Sequence, residues 1–116
     1  VDAACAGITE KTAAVIVEPV QGVGGAYDIG QAMADALRRR CDETGAVLIF
    51  DEVQSGMGRV GQPFGANLYG MEPDILTTAK ALGAGFPVSA LMYGDRVRSA
   101  VKLEGLGTTF GEWHPL

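Results

Sequence analysis

The sequence predicts an α/β fold built on a mostly parallel sheet, and three observations carry that expectation. Two continuous apolar runs, "AAVIVEP" (13–19) and "AVLIFDE" (46–52), each end in an acidic residue. That is the pattern of parallel strands covered on both faces. Between them, "YDIGQAMADALRRRCDETG" (27–45) sets Met33, Leu37 and Cys41 four residues apart on one helical face. Strand, helix and strand thus follow one another within about 35 residues, the length of a right-handed crossover unit.

The elements can be justified in order. Asp28, with Gln31 three residues on, predicts a capping box at the start of the helix, and Gly45 predicts its stop. Arg38, Arg39 and Arg40 read as a solvated face of that helix. A third strand, "DILTTAK" (74–80), and a fourth, "VSALMYG" (88–94), follow loops rich in glycine and proline, and "DRVRSAVK" (95–102) predicts a short helix. No repeat, low-complexity tract or linker interrupts the chain. It reads as one slice of a sheet.

Composition narrows the function. The chain has 116 residues, enough for one domain, with 47% hydrophobic and 20% charged residues, an ordinary globular balance. A net charge of −5 argues against a nucleic-acid surface. No apolar run approaches membrane-spanning length, and nothing reads as a signal peptide. Cys5 and Cys41 make no metal or redox spacing, so a reducing, cytoplasmic setting is expected. The start at Val1 and the ending "GEWHPL" lead us to expect an excerpt of a longer protein.

Ligands of open parallel sheets bind beyond the carboxyl ends of the strands. Glu18, Asp51, Glu52, Gln54 and Lys80 fall there. Asp51 alone is open to three readings: a structural cap or salt bridge, a Walker B carboxylate holding magnesium, or a catalytic group. The chain contains no G-x-x-x-x-G-K-[ST] cradle, which weakens the nucleotide reading. Lys80, in "TTAKALGAGFP" (77–87), is one of only three lysines and sits among small and apolar residues. A lysine withdrawn from water favours its neutral, nucleophilic form, although a lone lysine at a strand end more often snorkels to solvent. A buried aspartate together with a neutral lysine is what pyridoxal phosphate requires: a Schiff-base partner and a keeper of the ring proton.

Four ordered blocks, "VEPVQGVGG" (17–25), "LIFDEVQSGMGRVG" (48–61), "PDILTTAKALGAGFPVSALM" (73–92) and "GTTFG" (107–111), together resemble the class III pyridoxal-phosphate aminotransferases. That group contains acetylornithine, ornithine and 4-aminobutyrate aminotransferases. The spacings are similar too: 29 residues separate Asp51 from Lys80, and 29 separate Lys80 from Thr109. The resemblance implies a partial pyridoxal-phosphate-binding large domain of fold type I over residues 1–116, with the upstream phosphate cup and the C-terminal domain lying elsewhere. It implies Lys80 as the Schiff-base lysine and Asp51 as the pyridinium partner. Val53 would pack on the ring, Gln54 would bond near the ring hydroxyl, and Thr109 would reach the phosphate held by the other subunit of a homodimer. No metal is implied.

The implied reaction moves an amino group from an amino acid or ω-amine to a 2-oxo acid, most like acetylornithine aminotransferase. An ω-amino acid or alanine–glyoxylate type enzyme is the alternative within the family. An ATPase fragment with a Walker B-like strand, or a non-catalytic remnant, is the alternative outside it. Two departures stand out. Val23 replaces the glutamate usual in "QGEGG", and "EWH" (112–114), with the single histidine His114, interrupts the expected "GTTFG…PL" ending. The 116-residue chain taken by itself is expected to lack turnover, since the phosphate cup, stacking aromatic and substrate arginines are not in it.

Overall fold

The computed structural model describes residues 1–101. Thr109 and the "EWH" stretch therefore lie outside the described residues. A short helix α1 (Asp2–Ala6) leads to strand β1 (Ala14–Val17), then to a small hairpin of β2 (Val20–Gln21) and β3 (Tyr27–Asp28). Helix α2 (Gln31–Thr44) follows, then β4 (Val47–Asp51), α3 (Gly65–Leu68), β5 (Ile75–Thr78), a 3₁₀ turn (Lys80–Gly83), β6 (Ala90–Tyr93) and α4 (Asp95–Arg98).

The main sheet has the order β1-β4-β5-β6. β1 pairs with β4 and β4 with β5 in parallel, Val17 opposite Phe50 and Asp51 opposite Thr77. β6 returns antiparallel, with Thr78 opposite Ala90. The expected strand–helix–strand unit is present, since α2 joins two strands that are parallel neighbours.

α2 forms because apolar residues recur at helical spacing. Ala34, Leu37 and Cys41 pack against Leu48 and Phe50, and Met33 flanks that cluster. Burying a side chain such as Phe50 contributes about 1.5–3 kcal/mol. Gly45 ends the helix in the left-handed conformation (φ 82°), its N–H donating to the Cys41 carbonyl. Phe50 also meets the Tyr69 ring edge-on, with centroids 6.4 Å apart.

Three expectations are corrected. The strands are not covered on both faces by the described residues: Leu48 and Phe50 are buried, but Ile16 is 64% exposed. The only long helix among these residues, α2, packs on one face of the sheet. The capping box is also absent. The N-cap is Gly30, whose own N–H donates to Asp28 Oδ1 at 2.7 Å, while Gln31 Nε2 donates to Asp35 and to the Tyr69 carbonyl. Finally, the arginine run is not simply solvated. Arg38 is only 19% exposed and pairs with Asp74 at 3.1 Å, and Arg40 Nε donates to the Ile8 carbonyl at 2.9 Å. Long stems let these cations leave the helix surface and tie it to the start of β5 and to α1's exit.

The Tyr69 hydroxyl lies 2.9 Å from the Pro19 carbonyl and 2.5 Å from Asp28 Oδ1, so one proton serves the loop after β1 at two points. Tyr69 and the Gly30 N–H hold the Asp28 carboxyl below its ordinary value of 3.8. Burial, reinforced by Asp28, pushes the Tyr69 phenol above its ordinary value of 10.0. The depressed carboxyl contributes stability above pH 3.8 that is lost as pH falls further. The raised phenol contributes stability below pH 10.0 that is lost as pH rises through its folded value. Tyr69→Phe should cost about 1–2 kcal/mol, because the Pro19 carbonyl keeps the Ile29 N–H but Asp28 keeps only the Gly30 N–H. Urea unfolding of the full-length protein at pH 3, 7 and 10 checks this. A variant as stable as the parent at pH 7 would refute it.

Candidate functional site

Parallel strands β1, β4 and β5 bring their carboxyl ends to one edge of the sheet, and four of the sequence-predicted groups gather there. Glu18 follows β1, Asp51 closes β4, Gln54 lies three residues beyond it, and Lys80 opens the turn after β5. Asp51 is half-buried. Its Oδ1 accepts the Val53 N–H at 3.0 Å and the Thr77 hydroxyl at 3.3 Å. Both of these bonds fall on one oxygen, which leaves Oδ2 as the available acceptor.

The loop after β1 is folded against this edge. Glu18 Oε2 accepts the Gly22 N–H at 3.0 Å. A Cβ at Gly22 would lie 2.5 Å from the Gln54 side chain, so only glycine admits Gln54 at that spot. Val23, next along, is 92% exposed. Val53 is half-buried and Gln54 exposed.

Lys80 departs from expectation in one respect. The burial that would keep a lysine out of water is not provided by the described residues, and its side chain is exposed. Its backbone is left-handed, with φ 46°, and Ala84 ends the same turn at φ 48°. Between them the segment turns sharply back toward β6.

Glu52 carried no role in the sequence, yet it is fully buried. Its carboxylate accepts the Ser55 hydroxyl, the Gly65 N–H and the Ala66 N–H, each at 2.7 Å. The signal that could have found it is the two-residue period of a strand: Leu48, Phe50 and Glu52 share the covered face while Asp51 points to the other. Asp74 was missed likewise. It is buried at the opposite end of the sheet and accepts the Leu48 N–H at 2.7 Å. Asp51 and Glu52 point to opposite faces, and the Glu52 carboxylate is consumed by protein donors on the far one.

The donor set suits pyridoxal phosphate. A carboxylate with one oxygen committed and one available matches a protonated ring nitrogen, an amide three residues on matches a ring hydroxyl, and a primary amine at the adjacent strand end matches an aldehyde. Comparison with known proteins gives the family. The sequence pattern of "Aminotransferase class-III" matches residues 1–112. Acetylornithine aminotransferase of Methanocaldococcus jannaschii is 51% identical over 104 residues, covering 90% of this chain and 26% of that protein. A succinylornithine transaminase/acetylornithine aminotransferase of Pseudomonas aeruginosa is 48% identical over 106 residues, covering 91% and 26%. Among solved structures, ornithine aminotransferase of Plasmodium yoelii superimposes with a TM-score of 0.75 at 32% identity, over 84% of this chain and 26% of that one. An (S)-enantioselective omega-transaminase of Thermomicrobium roseum does so at 0.73 and 36%, over 84% and 23%. The chain thus spans about a quarter of the length of the curated relatives it matches. With the sequence pattern matching nearly its whole length and the fold shared with solved transaminases, the chain belongs to the class-III aminotransferase family.

Proposed function

We propose that the full-length protein containing this chain transfers an amino group from an amino acid or ω-amine to a 2-oxo acid with pyridoxal phosphate, most like acetylornithine aminotransferase. The observation that carries the reading is the convergence of Asp51, Gln54 and Lys80 at adjacent strand ends in a chain about half identical to acetylornithine aminotransferases. When bound, pyridoxal phosphate supplies a carbonyl for the travelling amino group and a ring that accepts electrons.

Each residue then has a task. Lys80 Nζ would hold the cofactor's carbonyl group, and its amine would serve to move a proton to and from the reacting substrate carbon. Asp51 Oδ2 would hold a proton on the ring nitrogen, Oδ1 being fixed by Val53 and Thr77. Val53 would pack against the ring and Gln54 would bond near its hydroxyl. Thr109, outside the described residues, would contact the phosphate held by the other subunit of a homodimer, and the protein would work in the cytoplasm.

The exposed Val23 bears on substrate choice. A valine carries no charge and cannot pair with a cation as the glutamate usual in this loop could, and it stands exposed on the loop after β1. Turnover of the purified full-length protein with N-acetylornithine, ornithine, 4-aminobutyrate and alanine, each with 2-oxo acid acceptors, tests the reading. We expect N-acetylornithine to give the highest kcat/KM. Absence of amino transfer from every donor would overturn it.

A further inference from the structure

Glu52 is a buried carboxylate that no cation pairs with among the described residues. Three neutral donors satisfy it instead, two from the backbone of α3 and one from Ser55. Its main chain is fixed as well. The Glu52 N–H donates to the Thr77 carbonyl at 2.9 Å, extending the β4–β5 ladder, and its carbonyl accepts the Gly56 N–H at 2.9 Å. Residues 52–56 are therefore a turn closed at both ends by Glu52, with Val53 and Gln54 between.

The contacts of this turn form a circuit. Glu52 grips Gly65 and Ala66. A Cβ at Gly65 would lie 2.6 Å from Pro19 Cβ and 3.1 Å from Glu52 Oε2, so α3 sits tightly on both. Tyr69, just after α3, holds the Pro19 carbonyl and Asp28. The loop between those two residues carries Gly22, which lies against the Gln54 side chain. Gln54 is two residues from Glu52, and the ring is complete.

We propose that Glu52 is the positioning residue that fixes Asp51 and Gln54 at the strand ends. This rests on the proposed transaminase reading. Glu52 touches no reacting atom. It acts by holding the backbone that immediately precedes and follows it, so that Asp51 Oδ1 keeps the Val53 N–H and Gln54 stays against Gly22. Buried hydrogen-bonded groups of this kind resist replacement, since a mismatched partner leaves donors facing donors.

The experiment compares Glu52→Gln with Asp74→Asn in the full-length protein, the second being a buried carboxylate at the far end of the sheet. Amide hydrogen exchange of the cofactor-free protein is read at Val53 and Gln54. The pH midpoint of the visible absorbance band is read after loading with pyridoxal phosphate. Glu52→Gln is expected to speed exchange at Val53 and Gln54 at least tenfold and to move the midpoint by half a pH unit or more. Asp74→Asn is expected to lower the melting temperature and change neither. Should Glu52→Gln fail to fold, Ser55→Ala removes one donor and is expected to shift both readouts in the same direction. Exchange and midpoint at parent values, in a folded Glu52→Gln or Ser55→Ala protein, would overturn the proposal. A parent protein that shows no absorbance band with pyridoxal phosphate overturns the transaminase reading instead, and exchange at Val53 and Gln54 then decides the role of Glu52 by itself.

Discussion

Lys80→Ala in the full-length protein should abolish borohydride trapping of pyridoxal phosphate and slow amino transfer by at least about 10³-fold. The proposed role gives Lys80 two tasks, covalent anchoring and proton transfer, and the second alone ordinarily supplies about 10²–10⁴-fold. The chain has only two other lysines, Lys11 and Lys102. Lys11 is exposed on the segment between α1 and β1, before the first strand begins. Mass spectrometry of the reduced protein should therefore find the added mass on the peptide that carries Lys80. Labelling that persists in Lys80→Ala, or turnover within about tenfold of the parent, would remove Lys80 from the reaction.

Asp51→Asn is expected to slow the half-reaction with an amino donor by about 10²–10³-fold, equivalent to roughly 3–4 kcal/mol in the barrier. Asparagine preserves the size of the side chain and the oxygen that accepts from Val53 and Thr77, so the fold should not change. What it loses is the negative charge that, in the proposed role, keeps a proton on the ring nitrogen. Stopped-flow absorbance of the donor half-reaction measures the loss, with an unchanged melting temperature as the control. A rate within about tenfold of the parent would mean that Asp51 is only the structural cap that its bonds to Val53 and Thr77 also resemble.

Much of this architecture was legible in the sequence because strand, helix and strand each carried their own period. Apolar runs located β1 and β4, the four-residue spacing of Met33, Leu37 and Cys41 located α2, and Gly45 ended it. The placement of Asp51 and Lys80 followed from a rule about sheets and needed no side-chain detail. What stayed hidden depends on partners distant in sequence. Asp28 bonds Tyr69, 41 residues away, rather than capping its own helix, and Arg38 finds Asp74, 36 residues away. Such pairings are chosen by tertiary packing, and no local pattern announces them. Glu52 is the intermediate case. Its burial could be read from its phase with Leu48 and Phe50, but its donors come from the next helix. The exposure of Lys80 has a different origin, since burial is a property of whatever covers a residue, and the described chain does not cover that edge.

The left-handed backbone at Lys80 has a consequence for heredity. Among the described residues, only Ala26, Met57, Lys80 and Ala84 hold a positive φ without being glycine. A side chain in that conformation costs roughly 1–2 kcal/mol, a cost that glycine avoids. Selection for robustness alone would carry position 80 toward glycine, and the amine chemistry proposed for Lys80 is what would oppose that drift. If Lys80 carries that chemistry, a lineage released from it would be free to make the exchange, and its descendants would grow hardier through the loss.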